Sequence, residues 1–233
     1  MVSKTGTDFS PVVVSNVDPR VTYETLIGLE NVNEEERAQV QALQPSMSLF
    51  VWNAALSRPY SNPHLLHWNF AAPKTLPQWG LAFSGAGIHS AAALDPSLAP
   101  EGQSTVTINL VTRAEASRLK KMTKETYRAL KDDIDRLCRD IIREIDEEAA
   151  NSILFSEVAT PKTIARYLNT YEGSIYSIKR KSPDDFPHMK SSIQGLFLVG
   201  AGTGYGPGIE AVIITGSEVG EKMDVPVRET AAV

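Results

Sequence analysis

Apolar and polar positions change period several times along this chain, and each change marks an element. Residues 12–15 (Val-Val-Val-Ser) are a β-branched run without alternation, the pattern of a strand buried on both faces. Asn16-Val-Asp-Pro19 then reads as a turn with helix-start character, followed by a short helix over 20–29 that stops near Gly28. Residues 31–44 are polar and helical in pattern. Strands are predicted at 46–56, 64–70, 79–84, 104–112 and 153–158, with Pro and Asn at 59–63 turning between the first two.

The longest predicted helix covers 123–150. Leu130, Ile134, Leu137, Ile141 and Ile145 recur at spacings of four, three, four and four, which makes one apolar stripe, and Thr123 stands where a cap belongs. This is a structural helix with a charged outer face. Thr160-Pro161 is a cap followed by proline at the first helical position, so 162–170 is a short helix. Residues 171–190 read as loop and the tail after Lys222 as loose.

Residues 195–222 carry the most chemistry. An apolar strand runs into a loop with glycine at 200, 202, 204, 206 and 208, and then into a helix. Glycine lets a backbone turn with positive φ and approach a phosphate or a planar heterocycle, while the following helix directs its positive end at the same place. A glycine-rich connection without ligand is the plain alternative. Gly206-Pro-Gly-Ile-Glu-Ala211 matches a loose dinucleotide fingerprint, yet no strand with an acidic residue follows. It therefore reads as the closing strand and helix of a nucleotide-binding domain. Gly85-Ala-Gly-Ile-His-Ser90 is read as a loop, because Asp95-Pro96 cuts short the helix a dinucleotide fold needs.

Composition narrows the class. The chain has 233 residues, 42% of them apolar and 22% charged, which is ordinary for a globular protein. A net charge of −5 argues against a nucleic-acid partner. The single cysteine, Cys138, excludes an internal disulfide and a Cys-rich metal site. The four histidines, at 64, 67, 89 and 188, form no metal pattern. No apolar run is long enough to span a bilayer and no leader is apparent, so a cytoplasmic protein with peripheral membrane contact is expected. Lys179-Arg-Lys181 is a solvated loop or a phosphate neighbour.

The order of motifs resembles a known family. It comprises Val14-Ser-Asn-Val-Asp-Pro19, the loop Asp95–Gly102 leading into a strand, the long helix, Glu157-Val-Ala-Thr-Pro161 with Tyr167, Glu172-Gly173 and Tyr176, then Gly195–Thr203, Pro207–Val212 and Thr215-Gly216. Together these resemble the C-terminal half of the phytoene desaturase, carotenoid isomerase and retinol saturase-like family of FAD-dependent, amine-oxidase-like oxidoreductases. The resemblance implies an α/β (α+β) fold. A mixed substrate-domain sheet with helices would be joined to the C-terminal strand-loop-helix of a Rossmann-like FAD domain whose N-terminal half is absent.

It further implies a return strand over 1–20, a substrate domain over 21–190, an FAD segment over 191–223 and a loose tail over 224–233. Gly200, Ala201, Gly202 and Thr203 would pass the ribityl and pyrophosphate, while Gly208, Ile209 and Ala211 would face the isoalloxazine ring. Ala201 stands where many flavoproteins place Asp. Tyr176 and His188 would line the substrate site, and no residue is singled out as catalytic. The implied activity is desaturation or isomerisation of a hydrophobic polyene or isoprenoid. The rival readings are a non-catalytic split subunit or fragment that needs a partner carrying the N-terminal half, or a lone α/β domain with another ligand; the expected protein partner is such an N-terminal-half chain or a further copy in a homo-oligomer.

Overall fold

The computed structural model describes residues 2–3, 6–7, 10–60, 65–179 and 190–223. The chain divides into two compact units, one from Met1–Pro45 with Tyr176–Val233 and one from Ser46–Ile175.

The first unit begins with a small antiparallel pair, β1 (Val2–Ser3) and β2 (Gly6–Thr7), followed by β3 (Val13–Ser15). Asp18 caps helix α1 (Pro19–Val21) by accepting the Arg20 N–H at 3.0 Å, with Pro19 at the first position. The helix widens into a π turn over Thr22–Ile27 and stops at Gly28, whose φ is 85°. Asn33 caps α2 (Glu34–Ala42), and three glutamates in its first turn suit the helix dipole.

The second unit is one antiparallel sheet with a helix across it. Its elements are β4 (Met47–Leu56), β5 (Leu65–Leu76), β6 (Leu81–His89), α3 (Ala91–Leu94), β7 (Ser104–Arg113), α4 (Ala116–Lys120), α5 (Lys124–Ile145), α6 (Glu147–Asn151), β8 (Ile153–Ala159) and α7 (Pro161–Leu168). The sheet order is β5-β6-β7-β4-β8. Strand β4 is central and pairs with β7 and β8 on its two sides. Its alternate residues Phe50, Trp52, Ala54 and Leu56 are buried, and they share one core with Val106, Ile108 and Leu110 of β7 and with α5.

Thr123 caps α5 as its position predicts, and Thr160 and Thr163 form a reciprocal capping box on α7. The α5 stripe differs in detail from the spacing. Leu130, Ile134, Cys138, Ile141 and Ile142 are the fully buried residues, while Leu137 and Ile145 only flank the core. The predicted single helix breaks at Asp146, whose extended backbone ends α5 and whose side chain caps α6. Asp135 ties helix to sheet by accepting from Trp52 Nε1 at 2.6 Å, Ser156 Oγ at 2.5 Å and Arg139. Burial alone would raise its pKa; these hydrogen bonds outweigh burial and hold it below the usual carboxylate range. Burial pushes the Cys138 thiol up, which suits an inert core residue.

Two expectations are corrected. Gly85–Ser90 is not a loop: residues 85–89 lie within β6. The buried positions Leu81 and Phe83 fall out of phase with Ala86 and Ile88, at the place where the β5–β6 register shifts, so the alternation is broken in sequence although the strand continues. Strand β5 likewise runs on to Leu76, across the irregular stretch between Asn69 and Lys74 that contains Pro73. The second correction is β3, which is not buried on both faces. Val13 and Val14 are 37% and 43% exposed, and only Ser15 is buried. Among the described residues β3 also pairs with a single strand, so its other edge is open as well.

That single partner is β9 (Leu196–Leu198), parallel to β3 in the register Val13↔Leu196, Val14↔Phe197 and Ser15↔Leu198. The chain then passes through residues 199–208 into helix α8 (Ile209–Lys222). Tyr23, Val32, Val40 and Leu198 make the small core of this unit. His64, Arg180, Lys181, His188 and the tail over 224–233 lie outside the described residues.

Candidate functional site

Strands β3 and β9 run the same way, so both of their outgoing turns lie at one end of the pair. Each turn leads into a helix, at Pro19 and at Ile209. The crevice outside the carboxyl ends of parallel strands is where open α/β sheets hold ligands.

The loop after β9 needs its glycines for two different reasons. Gly200, Gly204, Gly206 and Gly208 have φ of 96°, 53°, 91° and 119°, a region that costs other residues strain. Gly202 has no such φ. A Cβ there would instead lie 2.5 Å from Ser177 Oγ and 2.7 Å from Pro19 Cγ. At Gly200 a Cβ would run into Asn16 Oδ1. The space left by these two glycines is therefore filled by the chain itself. Thr203 is buried, and both its N–H and its hydroxyl return to Gly200 O at 3.2 Å.

At the helix start the space is open. Gly208 supplies no capping side chain, and the first intrahelical bond runs from Val212 N–H to Gly208 O at 3.0 Å. The N–H groups of residues 209–211 therefore have no intrahelical acceptor and point out along the positive end of the helix dipole. The nearest atom to a Cβ at Gly208 is Glu210 Oε2, 3.5 Å away. Ile209 is 76% exposed, Ile213 and Ile214 are exposed behind it, and Ala211 is half-buried. Unpaired donors beside exposed apolar side chains fit a planar, polar-edged heterocycle such as a flavin. Tyr205 donates to Glu218, and that carboxylate raises its pKa.

Gly200, Ala201, Gly202, Thr203, Gly208, Ile209 and Ala211 thus lie in one continuous loop and helix start. Tyr176 belongs to the same unit and is half-exposed, whereas His188 is not described. Sequence reasoning missed Asn16, Pro19 and Ser177 as neighbours of this loop. The turn at Asn16–Pro19 was legible as a helix start, but nothing in its spacing says which loop it touches.

The second unit offers a different surface. On the sheet face opposite the core, Val51, Asn53, Ala55, Thr107, Asn109 and Gly87 lie side by side, and the Thr107 hydroxyl donates to Asn53 Oδ1 at 2.7 Å. These six residues are neutral, while exposed Glu157, paired with Asn53, and Arg113, paired with Met47, bring charge to the margins of the same face. A shallow depression of about 380 Å³ on this unit is lined by His67, Trp68, Asn69, Gly87 and Asn109, among others. Among the described residues no cluster of His, Cys, Asp and Glu can hold a metal, and no helix is long and apolar enough to cross a membrane.

The fold has a counterpart among solved structures. A solved oxidoreductase from Methanosarcina mazei superposes with a TM-score of 0.54 at 18% identity, covering 90% of this chain and 42% of its own. The sequence relatives are narrower. Prolycopene isomerase 2 of an Oncidium hybrid cultivar is 25% identical over 215 residues, which is 89% of this chain and 36% of the relative. The lycopene-forming phytoene desaturase of Pseudescherichia vulneris is 28% identical over 214 residues, 86% of this chain and 42% of the relative. The chain is thus similar to carotenoid isomerases and phytoene desaturases, and the similarity lies in their C-terminal part. It spans about two fifths of the length of these relatives. No protein-family model matches it.

Proposed function

We propose that the chain is the C-terminal portion of an FAD-dependent oxidoreductase acting on a hydrophobic polyene or isoprenoid substrate by desaturation or isomerisation. The observation that carries the reading is the open helix start at Gly208, at the carboxyl end of the parallel β3–β9 pair. In this reading β9, its loop and α8 close a Rossmann-like FAD domain. The backbone N–H groups of Ile209 to Ala211 face the polar edge of the flavin, and residues 200–203 follow the ribityl and pyrophosphate. When bound, FAD supplies the redox chemistry. The chain orients it, and the open helix end favours negative charge at that edge. The uncharged patch around Val51, Asn109 and Gly87 on the sheet of residues 46–175 suits an apolar substrate, which exposed charge would disfavour. A substrate of that kind partitions into lipid, so the reading includes a cytoplasmic protein with peripheral membrane contact.

The test is a titration of the purified chain with FAD, followed by flavin absorbance and fluorescence. Saturable binding is expected, and a colourless chain that leaves added FAD free in solution ends the stand-alone reading.

A second reading has its own support. The outer edge of β3 is unpaired among the described residues. Beside it lies an apolar groove of about 440 Å³ that includes Val13, Val14, Val17, Leu26, Ile27 and Ile193. Parallel strands are normally enclosed, and an open edge invites another strand. A split subunit completed by a polypeptide carrying the nucleotide-binding half would use this edge. Flavin binding that appears only when such a polypeptide is added separates this reading from the first.

A further inference from the structure

We infer that Asp18 and Ser177 are positioning residues that hold the 199–208 loop in its ligand-ready shape. The inference rests on the flavin reading above for the identity of the ligand, but its geometry is independent of it.

Ser177 Oγ donates to Asp18 Oδ2 at 2.8 Å, and both residues are buried. The same carboxylate accepts the Arg20 N–H through Oδ1, and the Asp18 carbonyl accepts the Thr22 N–H at 2.8 Å. One side chain thus fastens the start of α1 to a segment 159 positions away. Ser177 has φ of 58°, a left-handed backbone that glycine takes with less strain. What serine adds over glycine at this position is the hydroxyl that Asp18 holds.

That hydroxyl and the Pro19 ring are the two groups standing over Gly202. They fit only because residue 202 has no side chain. Residue 202 is itself inside the turn that Thr203 closes onto Gly200. The Asp18–Ser177 bond therefore sets the wall against which the 200–203 turn is seated, and that turn precedes Gly204, Gly206 and Gly208. The two residues act through the shape of the loop.

Wild-type chain, Ser177→Gly, Asp18→Asn and Asp18→Ala test this by two readouts: backbone amide exchange over 199–208 without ligand, and FAD affinity by fluorescence. Ser177→Gly relaxes the backbone while removing the hydroxyl, so its melting temperature is expected to hold. Its loop exchange should rise, and its FAD affinity fall, by about tenfold each, the scale of one buried hydrogen bond. Asp18→Ala should match it, and Asp18→Asn, which keeps an acceptor, should recover most of the loss. If Asp18→Ala does not fold, Ser177→Gly decides alone. A wild-type chain that binds no FAD overturns the flavin reading, and the exchange data then decide the clamp by themselves. Unchanged exchange in Ser177→Gly overturns the clamp. Faster exchange with unchanged FAD affinity overturns its role in binding.

Discussion

Strands β4 and β3 are both apolar, yet they end in opposite situations. Strand β4 is ten residues long, paired on both edges and covered by α5, so its inward side chains are fully buried. Strand β3 is three residues long, paired on one edge among the described residues, and leaves two valines exposed. The unit of residues 46–175 therefore has a core of its own. The other unit has a small core and spends its glycines on a loop with an open helix end. The larger core lies in one unit and the loop of the proposed site in the other, as expected when binding loops come from the less stable parts of a molecule.

The sharpest way to break that comparison is a core deletion. Ile134→Ala, at a fully buried position on α5, should cost about 3–4 kcal/mol. Urea denaturation followed by Trp fluorescence checks it, and a loss below about 1 kcal/mol would mean that the core is looser than its burial indicates.

The next effect belongs to the other unit. Saturating FAD, at about a hundred times its dissociation constant, should stabilise the folded cradle by about 2.7 kcal/mol. Amide exchange in the presence of FAD should slow at 199–214 and stay unchanged along β4 and β7. Uniform slowing would erase the distinction between the units.

A smaller change localises the cradle. Gly208→Val puts a branched side chain at φ of 119° on the open helix end, and should weaken FAD binding by at least about tenfold, or 1.4 kcal/mol. Equal affinity in the two proteins counts against the helix start as the flavin contact.

The mildest prediction concerns acid. Asp135 and Asp133 both have pKa values lowered in the folded chain. For Asp133 the hydrogen bonds from Trp79 and Gln78 are the main cause. A depressed carboxylate stabilises the fold above its unfolded pKa, about 3.9, and loses that contribution as pH falls through its lower folded value. Near-UV circular dichroism of Trp52 and Trp79 should therefore hold down to about pH 4 and fade below it. Fading that begins near neutral pH would assign the loss to other groups.

Much of the second unit was legible because its signals are local. The α5 stripe, the Thr123 and Thr160 caps and the β-branched run of β7 each follow from side-chain spacing and hydrogen bonding within a few residues. Cys138 took the place expected of Leu137 because the helix face that meets the sheet is set by packing, which spacing leaves open by about one position. The second half of strand β6 was read as loop because its apolar phase changes between Phe83 and Ala86, where a neighbouring strand shifts register.

By itself the sequence determined where backbone could turn and where it could not: five alternating glycines, two capped prolines and one long amphipathic helix admit few local conformations. Only the tertiary structure decided what those turns meet. Gly200 and Gly202 face Asn16, Pro19 and Ser177, residues far away in the chain, while Gly208 faces open space. Both kinds of glycine look the same in sequence, because a missing Cβ says that something comes close without saying whether it is the chain or a ligand.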